Sequence, residues 1–118
     1  MDRVELRKYF DEVQASALRW YEDSVRAVEE AELCLDEIMA QLKAKKRAGG
    51  GYQPNEEELA ILEEAKAVLK EARAELTFFD GVKKGIDMTV NPIRKAMANE
   101  ELANAGKFIP KSLKPRRR

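Results

Sequence analysis

The side chains that could do chemistry in this chain are mostly carboxylates, because the sequence has no histidine and only one cysteine. Without histidine, neither a Ser-His-Asp nor a Cys-His catalytic arrangement is possible. A zinc site of the usual Cys/His kind cannot form within one such chain either. Paired carboxylates turned into a core can serve acid–base catalysis or a di-metal site. The sequence has many adjacent carboxylates, among them Asp11/Glu12, Glu29/Glu30, Asp36/Glu37 and Glu63/Glu64.

Nearly all of these carboxylates fall between the apolar positions of the helices predicted below, which favours solvent-exposed helix faces. Cys34 lies beside Leu35 and near Ile38, so we predict that it is a small core residue. The run Gly49-Gly50-Gly51 is not followed by the Lys-Ser/Thr pair of a phosphate-binding loop, which favours a flexible hairpin tip. We therefore expect a protein that is not an enzyme and has no catalytic residue, metal or cofactor.

The most suggestive segment is residues 107–118, which we call the basic tail. It contains six basic residues and no acidic one. Such a segment can contact nucleic-acid phosphates without sequence preference, dock into an acidic groove on a protein, or only improve solubility. The residues predicted to bind a partner or nucleic acid are Lys107, Phe108, Ile109, Lys111, Lys114, Arg116, Arg117 and Arg118 of the tail, with Lys43, Lys45, Lys46 and Arg47 near the glycine run.

Charge is distributed unevenly along the 118 residues, although Lys plus Arg equals Asp plus Glu at 22 each. Residues 1–82 carry 19 acidic and 12 basic side chains, a net charge of −7, whereas residues 83–118 carry 3 and 10, a net charge of +7. An acidic body repels phosphate over a Debye length of about 8–10 Å. The pattern therefore favours a protein partner for the basic tail over nucleic acid.

Helix signals divide the chain at its few glycines and prolines. We predict a helix over 2–47, a loop over 48–54 and a helix over 55–80, in which Asn55 and Glu58 form a capping box. Gly81 is a plausible helix end. A third helix is predicted over 92–105, with Asn91 as its cap and Pro92 at its first position. The fold class is thus all-α: a long, coiled-coil-like antiparallel hairpin, a short third helix and an extended basic tail, with residues 1–106 as one domain.

Apolar residues in the first predicted helix recur at helical spacing over its whole length, whereas the second helix is much shorter. At about 1.5 Å per residue, the first helix would be about 70 Å long and the second about 40 Å. The N-terminal segment of the first helix would then extend beyond the end of the second helix without a partner. We expect self-association through the apolar residues of that segment, which are Leu6, Tyr9, Phe10 and Val13.

The function expected from these features is that of a helical interaction or assembly protein: an adaptor, scaffold or structural subunit. We expect a homo-oligomer, either a dimer or a ring, with another protein as the partner of the basic tail. Nucleic-acid binding through 107–118 and 43–47 is the alternative. No apolar run approaches the roughly 20 residues of a membrane span, so we expect no membrane partner and a cytoplasmic location. In arrangement the predicted hairpin resembles viral assembly scaffolds and many bacterial adaptor or chaperone proteins, so the alternative location is within a viral or other macromolecular assembly.

Overall fold

The structure is a computed structural model that describes residues 1–107, and side chains up to residue 105. It consists of two long helices, α1 (Arg3–Arg47) and α2 (Glu56–Lys107), packed side by side as an antiparallel hairpin. The radius of gyration is 26.8 Å, whereas a compact chain of this length would have one of about 13 Å. The predictions of an all-α fold and of two long helices joined by a glycine loop are confirmed.

The helix ends around the loop follow local sequence signals. Gly49, Gly50 and Gly51 all have positive φ, a conformation that other residues adopt only with strain. The predicted capping box is confirmed: the Glu58 backbone N–H donates to Asn55 Oδ1 at 2.8 Å, and the Asn55 N–H donates to Glu58 Oε1 at 3.3 Å. These contacts fix where α2 begins.

The second helix runs without a break from Glu56 to Lys107. The predicted end at Gly81 and the separate third helix over 92–105 are therefore wrong. Asn91 is not a cap, because it and Pro92 lie inside α2. Pro92 has no N–H to offer the Met88 carbonyl, but Met88 and Pro92 are on the exposed side of the helix, where water can hydrate that carbonyl.

Packing on both sides of Pro92 explains why the helix continues. Val90 and Met97 are buried against Phe10, with Ile86 and Leu6 packed around them. A helix that ended before Pro92 would expose this cluster to water. Burying each large apolar side chain stabilises the fold by about 1.5–3 kcal/mol. The sum over this cluster outweighs the local preference for a helix end.

The same cluster corrects the prediction for the N-terminal segment of α1. That segment does have a partner in its own chain, since the continued α2 lies beside it and Phe10 is only 7% exposed. Leu6 and Val13 are half-buried, and Tyr9 is 51% exposed. The reason for predicting self-association through these four residues was therefore wrong.

The other half of the hairpin has a second buried cluster, formed by Val28 and Ala31 of α1 with Leu69 and Ala72 of α2. No large side chain among the described residues is fully buried. Two helices cover each other along one stripe only, so each helix leaves much of its wide apolar face to solvent. Neither described helix is both long and apolar enough to cross a membrane.

Candidate partner-binding groove

The hairpin leaves an apolar cleft open between its helices, next to the second buried cluster. It is about 240 Å³ in volume and continues along the hairpin into a wider depression. We call it the apolar groove, and its apolar lining residues are Ala27, Ala31, Cys34 and Ile38 of α1 with Ile61, Ala65, Val68 and Ala72 of α2. Ile61 is 47% exposed and Val68 is 49% exposed, so their side chains are available to a partner.

Helical periodicity places these residues on one face of the hairpin. Ala27 and Cys34, Ala31 and Ile38, and Ile61 and Val68 are each separated by seven residues, or two helical turns. The alanines keep the floor of the groove low, which allows close approach by another backbone or an apolar side chain. Cys34 was predicted to be a core residue, and that prediction is wrong because the side chain is exposed.

Carboxylates line both edges of the groove. Glu30 projects from α1, and Glu64, Glu71 and Glu75 project from α2. All four are exposed, and within residues 1–105 none of them forms an ion pair. We call these four residues the acidic rim. An apolar floor with an unneutralised acidic rim is a suitable surface for a ligand that is both apolar and positively charged.

An aromatic cluster lies one heptad beyond Ala27 on the same row of α1. The Trp20 and Phe79 ring centroids are 6.2 Å apart, and those of Phe78 and Phe79 are 5.2 Å apart, edge to face. Trp20 is 49% exposed and Phe78 is 64% exposed. Tyr21, next to Trp20 in the sequence, has the Lys83 ammonium 6.0 Å from its ring centroid.

Nearer the open end of the hairpin, outside the groove, a group of polar side chains is paired across the helices. The Arg94 guanidinium donates to Asp11 Oδ1 at 2.6 Å and to Gln14 Oε1 at 3.1 Å. The Gln14 amide in turn donates to Asp87 Oδ1 and Asn91 Oδ1 at 3.1 and 3.0 Å. We call these five residues the polar seam. Since these hydrogen bonds join α1 to α2 within the chain, the seam helps to set the register of the helices.

The hairpin tip holds the basic residues predicted near the glycine run. Lys43, Lys45, Lys46 and Arg47 are exposed in the last turns of α1. Lys45 is already engaged, because its ammonium donates to Glu58 Oε2 at 2.8 Å and lies 5.7 Å from the Tyr52 ring centroid. The first turn of α2 adds Glu56, Glu57 and Glu58 beside these cations. The tip is therefore of mixed charge.

Glu58 has the most strongly perturbed acid group in the described part of the chain. Hydrogen bonds from the Lys45 ammonium and the Tyr52 hydroxyl lower the pKa of its carboxyl to about 2, helped by the Asn55 backbone N–H. The same hydrogen bond raises the pKa of Lys45. Each partner stabilises the charged form of the other, which is typical of a structural ion pair that closes the loop.

The tail residues predicted to bind a partner lie outside the described side chains; they are Lys107, Phe108, Ile109, Lys111, Lys114, Arg116, Arg117 and Arg118. Across residues 1–105, no group of three or more Cys, Asp or Glu side chains is arranged to hold a metal ion. A comparison of the chain with protein-family models, curated proteins and solved structures finds no match.

Reasoning from the sequence missed the apolar groove. One signal was available, because Glu64 and Glu71 are seven residues apart and so are Ile61 and Val68, which places an acidic row beside an apolar row. The spacing alone does not show which side of a wide apolar face a second helix will cover. Only the register of α1 against α2 shows that these rows stay open.

Proposed function

We propose that this protein is a non-enzymatic interaction or assembly protein and that its apolar groove is the surface that binds the partner. The observation that carries the proposal is the difference between two regions of the hairpin surface. The polar seam is satisfied within the chain, whereas the groove leaves Ile61, Val68 and Cys34 exposed between unpaired carboxylates. Contiguous apolar surface bordered by polar residues is typical of an interaction site.

The aromatic cluster extends this surface and supports the proposal. Exposed Trp and Phe side chains bury large areas on binding and are frequent in the interface residues that contribute most to affinity. Trp20 and Phe78 lie on the groove side of the hairpin, in line with Ala27 and Glu71 by heptad spacing. A partner that follows the groove toward the open end of the hairpin would reach them.

Nucleic-acid binding through 107–118 and 43–47 has less support. Among the tip cations, Lys45 is paired with Glu58, and three glutamates occupy the adjacent turn of α2. A gel-shift titration at low salt, with the basic tail intact and with its six basic residues changed to alanine, tests this alternative. Tail-dependent binding that weakens steeply with salt would favour it.

Position-specific cross-linking at Cys34 tests the proposed function, because this is the only cysteine and it lies in the groove. A photoactivated maleimide attached to Cys34 should give discrete adducts in an extract of cells that make the protein. The matched control carries the same reagent on a Cys34→Ser/Asp36→Cys variant, since Asp36 is exposed two residues away and does not line the groove. Equal adducts from both positions would contradict the proposal.

A further inference from the structure

We infer that the apolar groove of one copy receives the basic tail, residues 107–118, of another copy. The inference rests on the proposed function, because it assumes that the groove is the binding surface, and it adds the identity of the occupant. Three observations carry it: the charge of the rim, the apolar floor, and the distance between the groove and the end of α2.

Charge selects the kind of occupant. The acidic rim has four carboxylates without ion-pair partners in the described residues, and the tail has six cations and no acidic side chain. A second hairpin packed groove to groove would instead bring two acidic rims together, which repel each other. The charge pattern therefore favours the tail over the hairpin body as the part of a second copy that enters.

The apolar residues of the tail suit the floor of the groove. Phe108, Ile109 and Leu113 interrupt the basic residues and can fill the space above Ala31, Ala65 and Val68. From Ala27 to Ile38 the floor extends about 16 Å at 1.5 Å per residue. From Phe108 to Leu113 an extended chain spans about 17 Å, and Pro110 between them disfavours a helix. The two lengths agree.

The groove lies too far away for the tail of the same chain. Glu75 is the rim residue nearest to the end of α2, and Lys107 lies 32 positions further along the helix, a distance of about 48 Å. The eleven residues 108–118 span at most about 40 Å when fully extended, and Leu113 lies only six residues beyond Lys107. Docking of the apolar anchors therefore requires a second copy, which joins chains head to tail or by reciprocal exchange.

A disulfide between two different chains provides the test. Full-length wild type, with its thiol at Cys34, is mixed with a Cys34→Ser/Ser112→Cys chain under mild oxidation. We expect a mixed disulfide between Cys34 and the thiol introduced at position 112, identified by peptide mass. In the control reaction, a Cys34→Ser/Asp36→Cys chain replaces wild type as the partner of the chain with the thiol at position 112. The mixed disulfide should form about tenfold faster with wild type than in this control, because docking of the tail raises the concentration of the position 112 thiol near Cys34.

Charge reversal on the rim gives a second readout. A Glu64→Lys/Glu71→Lys chain keeps its thiol at Cys34 and changes only exposed positions, and its helix content is checked by circular dichroism. We expect the mixed disulfide to slow to the rate of the Asp36→Cys control, and 0.5 M salt to slow the wild-type reaction similarly. A rate that is equal for Cys34 and the control, or unchanged by charge reversal, would overturn the inference.

The same experiments separate this inference from the proposed function. If Cys34 forms discrete photoadducts with another protein while the thiol at position 112 does not react, the basic tail is not the occupant of the groove. The proposal that the groove is the binding surface would still stand. A dominant disulfide between two Cys34 thiols would identify the hairpin of a second copy as the occupant and would also overturn the inference. Failure of the photoadducts themselves would remove the proposed function.

Discussion

At the scale of single residues, the hairpin tip shows how a few polar contacts define a turn. Glu58 accepts hydrogen bonds from the Lys45 ammonium, the Tyr52 hydroxyl and the Asn55 backbone N–H. One carboxylate thereby ties the last turns of α1, the loop and the first turn of α2 together. The glycines at 49–51 supply only the backbone conformations, and Glu58 supplies the contacts.

The Glu58 carboxyl makes the tip sensitive to acid. Its pKa is about 2 in the folded protein, against an ordinary value of 4.5, so the charged form stabilises the fold. This stabilisation is fully present above about pH 4.5 and is lost as the pH falls toward 2. We expect Glu58→Gln to lower the thermal unfolding midpoint at pH 7, and the difference from wild type to shrink between pH 4.5 and 2.

Melting curves of the two proteins at several pH values check this, and NMR titration of the Glu58 carboxyl gives its pKa directly. Glu57→Gln is the matched control, because Glu57 is an exposed neighbour without a described ion pair. A difference between wild type and Glu58→Gln that stays constant down to pH 2 would show that the carboxylate charge does not hold the tip.

At the scale of the helices, Phe10 is the side chain that ties the N-terminal part of α1 to the continued α2. It packs against Val90 and Met97 and is 7% exposed. We expect Phe10→Ala to reduce the free energy of unfolding by about 3 kcal/mol or more. Tyr9→Ala, at a position that is 51% exposed, should cost about 1 kcal/mol or less.

Chemical denaturation measures both values. If Phe10→Ala cost no more than Tyr9→Ala, Phe10 would not be packed against α2 within the same chain. The predicted helix end at Gly81 would then be restored as the better description.

Whereas Phe10 stabilises the contact between the helices, Pro92 destabilises α2, because it removes one hydrogen bond within the helix. Tertiary packing keeps the helix intact despite this loss. A proline in a helix interior costs about 3 kcal/mol relative to alanine, and its stiffness in the unfolded chain offsets part of that cost. We expect Pro92→Ala to raise the free energy of unfolding by roughly 1–3 kcal/mol. Denaturant titration checks the value, and a lower stability would show that the proline sets a local geometry the fold requires.

The parts of the fold that local signals encode could be predicted from the sequence. The Pro/Gly-free run to Arg47, the glycine loop and the Asn55–Glu58 capping box each depend on neighbouring residues, and they agree with the structure. The continuity of α2 could not be predicted that way. Gly81, Gly85 and Pro92 favour a break, and contacts with residues some 80 positions away along the chain, such as those between Phe10 and Val90, override them.

At the scale of the whole molecule, the proposed binding surface depends on the pairing of the two helices. Each helix has a wide apolar face, and the register set by the polar seam decides which part of it remains open. The groove, Trp20 and Phe78 are therefore exposed, although the sequence pattern favoured a core position for Cys34. We expect that such a thin hairpin is completed by contacts with another chain.

The native mass at increasing concentration tests the central claim, that this hairpin is an incomplete unit completed by another copy at the apolar groove. Light scattering of wild type at tens of micromolar should give a mass above the 13.4 kDa of one chain. Val68→Lys, which places a positive charge at an exposed position of the groove and so repels the basic tail, should return the mass to that of one chain with the helix content unchanged. A wild type that stays at 13.4 kDa throughout, or an oligomer that Val68→Lys leaves intact, would contradict the account.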